Sequence, residues 1–295
     1  MSAELKCFAP PEDSSLLDRR GFKLQHRLLG HPALELSNLA QVLPTLPSSN
    51  VYYSRGDLKP SDNFDRAHIE HKNGLSLADT IEAIRTSDSY IMVRSPELHP
   101  SFQELFADLS GDVRSLLRAR GQPDQLHGAK LYLFIASPNS LTPFHFDRYS
   151  TLLLQFQGRK RVFVFEPWDE RVISAQHTEG FMAHSGQRPP WNDELEALGT
   201  GFDFAPGEAL HIPFIAGHYV KNGAEDVSVS LSIIFNTEQT QQQIRALHFN
   251  HYWRRAAGKL GWKPSAVGKR PGLDALKAAS WQSASRLARL FRPGA

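Results

Sequence analysis

The stretch Leu141-Thr142-Pro143-Phe144-His145-Phe146-Asp147 follows an apolar run, residues 131–135, and places a histidine two positions before a carboxylate. Residues i and i+2 of a strand project from the same face, so His145 and Asp147 are predicted to point at a common centre. One imidazole and one carboxylate are two members of a facial metal site, which needs a second histidine. The best candidate is His218, 73 positions further on.

Short strands separated by turn residues dominate the chain from residue 131 onward. They are predicted near residues 131–136, 143–147, 150–156, 160–166, 201–205, 208–212, 218–222 and 227–236. Eight strands in about 105 residues fit a jelly roll of two Greek keys. The fold class is therefore predicted to be mainly β with flanking helices. The insertion at 167–200 is expected on the surface or over the barrel mouth.

Helices and two further strands are predicted outside this region. Strands are expected at 50–54 and 90–93, a helix at 37–43 capped by Ser37, a helix at 76–84 capped by Ser76, and a helix at 100–120 divided at Gly111. Helices are also expected at 238–257 and 273–291. The predicted domains are an N-terminal α/β elaboration packed on the barrel (1–84), the barrel domain (85–238) and a basic helical region (239–295).

Composition excludes several classes and indicates a compartment. Cys7 is the single cysteine, so neither an intramolecular disulfide nor a cysteine metal cluster is possible. No apolar run approaches ~18 residues, so no transmembrane helix is expected. The start of the chain lacks the layout of a signal peptide, and a cytoplasmic location is expected.

Charge is unevenly distributed along the chain. Residues from Arg254 onward carry ten Lys or Arg and one acid, a net +9, which leaves −7 for residues 1–253. A basic tail on an acidic body is compatible with contact to nucleic acid or to an anionic membrane. The plain alternative is a solvated helical appendage.

Two histidines compete for the remaining ligand position. The Pro206-Gly207 turn leads into a predicted strand that ends at Pro213, and the resulting hairpin brings His218 to the barrel mouth. His211 lies inside that strand, where a packed histidine is the expected role. Two histidines and one carboxylate leave about three positions of an octahedral ion open, as in non-haem Fe(II) oxygenases. A His-x-Asp pair alone is a weak signal, because a surface histidine beside a strand-end aspartate is common.

Three further residues are candidates for binding an anionic cosubstrate. Lys160 begins an apolar strand, and a lysine inside a barrel is costly unless it meets an anion such as a dicarboxylate. Its alternative is to face solvent between Arg159 and Arg161. Thr142 can donate a hydroxyl to the same carboxylate. Asn236 can face the cavity, or cap the helix that follows.

Four segments, matching in order and spacing, carry a family resemblance. They are Thr142-Pro143-Phe144-His145-Phe146-Asp147, then Gln157-Gly158-Arg159-Lys160-Arg161, then Pro206-Gly207 with Ile212-Pro213, then His218-Tyr219-Val220-Lys221-Asn222. Over roughly residues 85–240 the chain resembles the JmjC family. It is most similar to its cupin-like branch, which includes the factor-inhibiting asparaginyl hydroxylase and small bacterial members.

The resemblance implies a double-stranded β-helix and a reaction that uses Fe(II), 2-oxoglutarate and O₂, either hydroxylation or demethylation. It implies His145, Asp147 and His218 as iron ligands, and Lys160 with Thr142 at the distal carboxylate. Asn236 lies a few residues away from a family cosubstrate contact. Ala216-Gly217 replaces the usual aromatic pair, which leaves the primary substrate open: a protein, a peptide or a small molecule.

Other functional classes remain open at the level of sequence. The chain is expected to be a hydroxylase of a protein, peptide or amino-acid-like substrate. The alternatives are a non-catalytic metal-binding regulator, an RNA- or ribosome-associated module that uses the basic tail, and a plain metal-dependent dioxygenase cupin. The C-terminal stripe of Leu273, Leu276, Trp281, Leu287 and Leu290, followed by Phe291, is predicted to be a contact surface for a second copy, for the chain's own barrel or for an anionic membrane. The resemblance to the factor-inhibiting branch, which dimerises through C-terminal helices, implies the homodimer.

Overall fold

The computed structural model describes residues 5–185, 189–258, 261 and 263–290 of the chain. The chain forms two compact units. The first contains Met1–Pro167 and Pro190–Phe235, and the second contains Trp168–Pro189 and Asn236–Ala295. The predicted domain boundaries at residues 85 and 239 remain predictions.

The strands form two sheets. They are β1 (Phe22–Gln25), β2 (Val51–Arg55), β3 (Ser89–Arg94), β4 (His127–Ala136), β5 (Leu141–His145), β6 (Ser150–Gln157), β7 (Lys160–Val164), β8 (Thr200–Phe204), β9 (Glu208–Ile212), β10 (His218–Asn222) and β11 (Ser228–Asn236). The larger sheet has the order β1-β9-β6-β11-β4-β3-β2 and the smaller has the order β5-β10-β7-β8. Pairs in both sheets are antiparallel, for example β6 with β9 and β5 with β10.

Helices precede, interrupt and follow these strands. They are α1 (Leu36–Val42), α2 (Ala67–Glu70), α3 (Leu77–Glu82), α4 (Pro100–Ala119), α5 (Ala175–Met182), α6 (Glu238–Ala257) and α7 (Pro271–Leu290). None of these helices is both long enough and apolar enough to cross a bilayer. The predicted class, mainly β with flanking helices, is confirmed.

Two apolar clusters lie on opposite faces of the larger sheet. On one face the buried stripe of α4, which includes Leu105 and Leu109, packs with Leu131 and Leu133 of β4. The other cluster joins the two sheets, because it contains Leu210 from β9 and Val162 from β7. The second cluster is therefore the interior of the barrel. Side chains that alternate with the α4-facing ones point into it.

Several local predictions need correction. Gly111 does not divide α4, because one glycine costs only about 1 kcal/mol against a helix with a long buried stripe. Ser37 does not cap α1, which begins one residue earlier after Glu35. Ser76 does cap α3 by accepting from the Asp79 backbone N–H. The insertion at 167–200 contains α5, which was not predicted.

A buried polar cluster organises the second unit. Glu179 of α5 is 1% exposed and accepts from Arg254 Nε at 2.5 Å and from Asn250 Nδ2 at 3.0 Å, both on α6. On the same helix, Tyr252 stacks on Trp281 of α7 with ring centroids 4.8 Å apart. These contacts connect the three helices of the unit. A buried carboxylate of this kind depends on its cation, because an unpaired charge is costly to bury.

Candidate metal centre

The two histidines lie on neighbouring strands of the smaller sheet. His218 of β10 is opposite His145 of β5, and their ring centroids are 4.1 Å apart. Asp147 Oδ2 is 3.7 Å from His218 Nε2. One ligand atom from each of the three residues lies within 4.8 Å of the other two. The predicted triad therefore meets at one point.

Asp147 lies in a different element of secondary structure from the one predicted. The strand expected at 143–147 ends at His145, so Asp147 belongs to the turn that follows β5. Both histidines are buried, whereas the Asp147 side chain is 32% exposed. The carboxylate therefore marks the open side of the centre. Alternation along a strand could not predict this, because a strand end depends on pairing with its neighbour.

Backbone carbonyl groups orient both imidazoles. His145 Nδ1 lies 2.7 Å from the Pro143 carbonyl oxygen, and His218 Nδ1 lies 3.1 Å from the Ala216 carbonyl oxygen. Since a carbonyl oxygen only accepts, each Nδ1 carries the proton and each Nε2 keeps its lone pair. Second-shell contacts of this type fix the tautomer and ring direction of metal-binding histidines.

A register shift in β5 brings Thr142 to the same face as His145. His145 of β5 pairs with His218 of β10. Thr142 lies three residues before His145, but its partner Val220 lies only two residues after His218, so β5 contains one extra residue here. The extra residue is a bulge, which restores a common face to positions that would otherwise alternate. Thr142 is buried and its hydroxyl is hydrogen-bonded to the Tyr90 side chain. The predicted position of Thr142 beside the centre depends on this bulge.

Lys160 points into the barrel, so the solvent-facing alternative is wrong. It begins β7 on the face shared with Val162 and Val164, both members of the interior cluster, and is 8% exposed. Its Nζ donates to Ser230 Oγ at 2.5 Å, and Ser230 Oγ donates to Gln155 Oε1 at 2.7 Å. Burial lowers the pKa of Lys160 to about 7.

The environment of Lys160 suits an anion. Within the described residues, no carboxylate forms an ion pair with its ammonium, and Ser230 takes one of three possible donors. A buried ammonium without a counter-charge is unfavourable, and an anionic ligand removes that cost. Ser230 and Gln155 were not predicted. The alternation of small polar and large apolar residues along β11 was the available signal for Ser230.

His211 and Asn236 each have hydrogen-bond partners close to their own strands. His211 Nδ1 donates to the Thr151 carbonyl oxygen at 3.0 Å, and its Nε2 accepts from the Asp18 backbone N–H at 2.9 Å. Both ring nitrogens are thus engaged, which agrees with the expected packing role. Asn236 ends β11, and its Oδ1 accepts from Thr240 Oγ1 at 3.0 Å. The residue that caps α6 is Thr237, so the capping alternative for Asn236 is wrong.

Two aromatic neighbours of the centre were not predicted. The Phe64 ring lies 4.6 Å from the His145 ring, centroid to centroid, and 5.9 Å from the Tyr90 ring. Phe64 belongs to a polar stretch, residues 57–74, whose composition favours a loop. No sequence pattern connects it to His145. These rings cover the centre with apolar surface, which lowers the local dielectric around the ligand set.

The donor set fits Fe(II). Two neutral imidazoles and one carboxylate on one side of a common point suit a divalent transition metal that keeps open positions. A two-sheet β-barrel with such a centre inside it defines a protein of the cupin class.

Comparison with known proteins identifies the family within that class. The model of the family described as "Cupin-like domain" matches residues 54–254, which is more than half of the chain. The chain belongs to this family, and the predicted cupin-like JmjC affiliation is confirmed. Its placement beside the factor-inhibiting asparaginyl hydroxylase stays a prediction.

Individual relatives are distant. Jumonji C domain-containing protein 5 of Drosophila melanogaster is 24% identical over 234 residues, which are 77% of this chain and 56% of the relative. The chain therefore spans little more than half of that protein. Among solved structures, the Escherichia coli ribosomal oxygenase YcfD in complex with cobalt and 2-oxoglutarate is 17% identical, with a TM-score of 0.46 over 94% of this chain and 65% of that one. Another structure of YcfD has a TM-score of 0.47 at 16% identity, over 97% of this chain and 69% of that one.

Proposed function

We propose that this protein is an Fe(II)- and 2-oxoglutarate-dependent oxygenase that hydroxylates a protein, peptide or amino-acid-like substrate. One observation carries the proposal: three metal-binding side chains share one barrel interior with a buried ammonium that pairs with no carboxylate among the described residues. A site that binds only a metal ion needs no buried ammonium. A site that binds an anionic cosubstrate beside the metal ion needs both the metal ligands and the ammonium.

Each residue then has a distinct task. His145, Asp147 and His218 hold the iron, with the two imidazoles oriented by the Pro143 and Ala216 carbonyl groups. Lys160 binds the distal carboxylate of 2-oxoglutarate, and Thr142 offers a hydroxyl on the same side. Bound iron and 2-oxoglutarate would supply the activation of O₂ and the removal of a hydrogen from the substrate.

Assays of metal and cosubstrate binding test the proposal. The purified chain is loaded with Fe(II) and 2-oxoglutarate, and succinate is measured with and without a panel of peptides and amino acids. Asp147→Ala is expected to abolish succinate formation and to release the metal, measured by calorimetry with Mn(II) as an O₂-stable probe. Asp203→Ala, which changes an exposed carboxylate on β8, serves as the matched control and should leave both unchanged.

A separate substitution, at Lys160, tests the binding of 2-oxoglutarate. Lys160→Ala removes one buried charge-assisted contact, which is worth about 1.5–3 kcal/mol, so the Kd for 2-oxoglutarate is expected to rise by about 10- to 150-fold. Metal that binds without 2-oxoglutarate, together with no succinate, would instead identify a non-catalytic metal-binding regulator. An unchanged Kd in Lys160→Ala would assign the carboxylate to another residue.

We also propose that the chain is a homodimer through its C-terminal helices. Leu276 and Leu287 of α7 are 64% and 56% exposed, and Tyr252 of α6 is 46% exposed. Exposed apolar side chains of this size, grouped on a helix pair, commonly mark contact surfaces. Of the predicted stripe, the side chain of Leu290 and all of Phe291 lie outside the described residues.

A further inference from the structure

Three buried side chains from three strands are linked by hydrogen bonds inside the barrel. Lys160 of β7 donates from Nζ to Ser230 Oγ of β11 at 2.5 Å, and Ser230 Oγ donates to Gln155 Oε1 of β6 at 2.7 Å. Gln155 and Ser230 are both 0% exposed. Since β7 belongs to the smaller sheet and the other two strands to the larger, these bonds connect the two sheets. We refer to the three side chains as the Lys160 network.

The contacts of its nitrogen fix the orientation of the Gln155 amide. Nε2 lies 2.6 Å from the Gln157 carbonyl oxygen and 3.1 Å from the Gly158 carbonyl oxygen. A carbonyl oxygen only accepts, so the amide nitrogen must face these two groups. Its third contact is Ser228 Oγ at 3.1 Å. The amide oxygen is therefore the atom that faces Ser230.

The turn between β6 and β7 supplies the two carbonyl groups. Gly158 in this turn has φ +69°, and a Cβ there would lie 2.5 Å from the Val227 carbonyl oxygen, so a side chain is excluded. The turn directs the carbonyl groups of Gln157 and Gly158 back to Gln155, and β7 then begins at Lys160. One tight turn thus orients Gln155 and starts the strand that carries Lys160.

The direction of these hydrogen bonds favours a charged lysine. A serine hydroxyl has one proton, and Gln155 Oε1 takes the proton of Ser230, so Ser230 can only accept from Lys160. An ammonium group has three donors and no lone pair, and it is stabilised by such an acceptor. A neutral amine has a lone pair that could accept from a free serine hydroxyl. Gln155 removes that alternative.

The side chains that face Lys160 from neighbouring strands do not compete for its charge. In register with it are Phe204 of β8 and Asn222 of β10, and neither titrates. Tyr90 of β3 bonds Thr142, and burial raises the pKa of its hydroxyl, so it stays neutral. Burial lowers the pKa of Lys160, and the hydrogen bond to Ser230 is the described contact that opposes this effect.

We propose that Gln155 is a positioning residue for the anionic cosubstrate, which acts through Ser230 to keep Lys160 charged and held inside the barrel. Gln155 acts on the cosubstrate only through these two residues. The inference rests on the proposed function for the identity of the anion, since 2-oxoglutarate supplies the carboxylate that Lys160 meets. The network itself belongs to the ligand-free protein.

The pH dependence of 2-oxoglutarate binding tests the positioning role. Mn(II)-loaded protein is titrated by calorimetry from pH 6 to 8.5. Losing the acceptor of a charged group is expected to shift the pH at which the Kd begins to rise about one unit lower in Gln155→Met and in Ser230→Ala. The Kd would then exceed that of wild type about eightfold at pH 7.5 but only about twofold at pH 6, where acid restores the ammonium. An increase by the same factor at every pH, or no increase, would overturn the inference.

Ser54→Ala is the matched control for Ser230→Ala. Ser54 is also a buried serine with a hydrogen bond, to the Arg55 carbonyl oxygen, but it lies on β2 at the far edge of the larger sheet. Its pH profile should be that of wild type, and a shift equal to that of Ser230→Ala would overturn the inference. Thermal unfolding verifies that each variant is folded.

A double-mutant cycle separates this inference from the proposed function. Urea unfolding at pH 7, without metal or cosubstrate, compares wild type, Gln155→Met, Lys160→Met and the double variant. Gln155→Met is expected to lower the unfolding midpoint more in wild type than in Lys160→Met, because only wild type contains the ammonium. Equal shifts would overturn the inference. Unequal shifts in a protein that binds no 2-oxoglutarate at any pH would support the effect of Gln155 on Lys160 and count against the oxygenase.

Discussion

Lys160 is a buried ionisable side chain of the barrel interior, and its protonation state depends on what surrounds it. Burial lowers its pKa from 10.5 to about 7, so the neutral and charged forms are both populated near neutral pH in the ligand-free protein. A bound dicarboxylate stabilises the charged form and raises that pKa. The unfolded chain keeps the ordinary value. The pKa of Lys160 therefore differs between the ligand-free, the ligand-bound and the unfolded protein.

The first prediction concerns the pH dependence of cosubstrate binding. Below pH 7 Lys160 is already protonated and 2-oxoglutarate binds at full affinity. Above pH 7 the amine must take up a proton on binding, so the Kd is expected to rise by up to about tenfold per pH unit. Calorimetry in buffers of different ionisation enthalpy measures the uptake directly. A Kd that is flat from pH 6.5 to 8.5, with no proton uptake, would contradict the prediction.

The second prediction concerns stability. The unfolded chain binds the Lys160 proton up to about pH 10.5, whereas the folded chain releases it near 7, so the stability contributed by this residue falls as the pH falls through that window. Lys160→Met is therefore expected to stabilise the ligand-free protein at pH 7 by at least about 1 kcal/mol.

Urea unfolding at pH 7 and pH 10 measures this effect. The advantage of Lys160→Met should shrink at the higher pH, where the wild-type amine is neutral in the folded state. Lys72→Met, at an exposed position between α2 and α3, is the control. Equal stability of wild type and Lys160→Met at pH 7 would mean that the ammonium is better solvated than its burial indicates.

At the scale of elements, the connection between β9 and β10 places His218. Ile215 in this loop has φ +59°, which is strained for a β-branched residue. Asp18 holds the loop from the other side, because its Oδ1 accepts from the Phe214 N–H at 3.4 Å and from the Ser150 hydroxyl. Tertiary contacts thus keep a strained loop in the conformation that delivers a metal ligand.

The third prediction tests this support. Asp18→Ala removes the acceptor and is expected to destabilise the protein by about 1–3 kcal/mol and to weaken Mn(II) binding. Asp18→Asn keeps an oxygen acceptor and tolerates the φ of +58° at this position, so its effect should be smaller. Urea unfolding and calorimetry measure the two effects. Equal Mn(II) affinities in wild type and Asp18→Ala would show that the loop holds His218 without Asp18.

The fourth prediction contrasts two glycines in different elements. A Cβ at Gly111 in α4 would meet no atom within 4 Å, so Gly111→Ala is expected to stabilise the protein by about 1 kcal/mol. Gly158, between β6 and β7, has φ +69°, and a Cβ there would lie 2.5 Å from the Val227 carbonyl oxygen. Gly158→Ala should therefore be destabilising. Thermal unfolding measures both effects, and ΔTm is expected to be positive for Gly111→Ala and negative for Gly158→Ala.

At the scale of the whole molecule, contacts within the second unit determine which variants are suitable for testing the oligomeric state. A chain cut after Trp253 would lose Arg254 and leave the buried carboxylate of Glu179 without its cation. Breaking a buried pair in this way is strongly destabilising. Substitutions on the exposed face of the full-length chain avoid the problem.

The fifth prediction uses such substitutions to test the homodimer. Wild type is expected to have the mass of a dimer by light scattering, and the double variant Leu276→Glu with Leu287→Glu that of a monomer. Both side chains are more than half exposed, so the change should leave the fold of each chain intact. A second variant, Leu98→Glu, changes an exposed leucine of the first unit and should remain dimeric. A monomeric wild type would contradict the proposal.

The sequence by itself determined the elements and the chemistry of the ligands. Short alternating strands with Gly and Pro turns are local patterns, and they predicted β4 to β11 to within a few residues at most ends. His145, Asp147 and His218 were predictable because only certain side chains bind a metal, and their order and spacing match a family pattern. Lys160 was predictable as an anion partner, but not as a buried one.

Tertiary structure decided what depends on pairing and packing. The bulge that turns Thr142 toward His145 exists only between β5 and β10, so no pattern within β5 alone reveals it. Phe64 packs on His145 from a stretch with no periodicity, and Asp18 supports the His218 loop from about 200 residues away. Such long-range contacts carry no local signal, because they depend on which surfaces meet after the strands have paired.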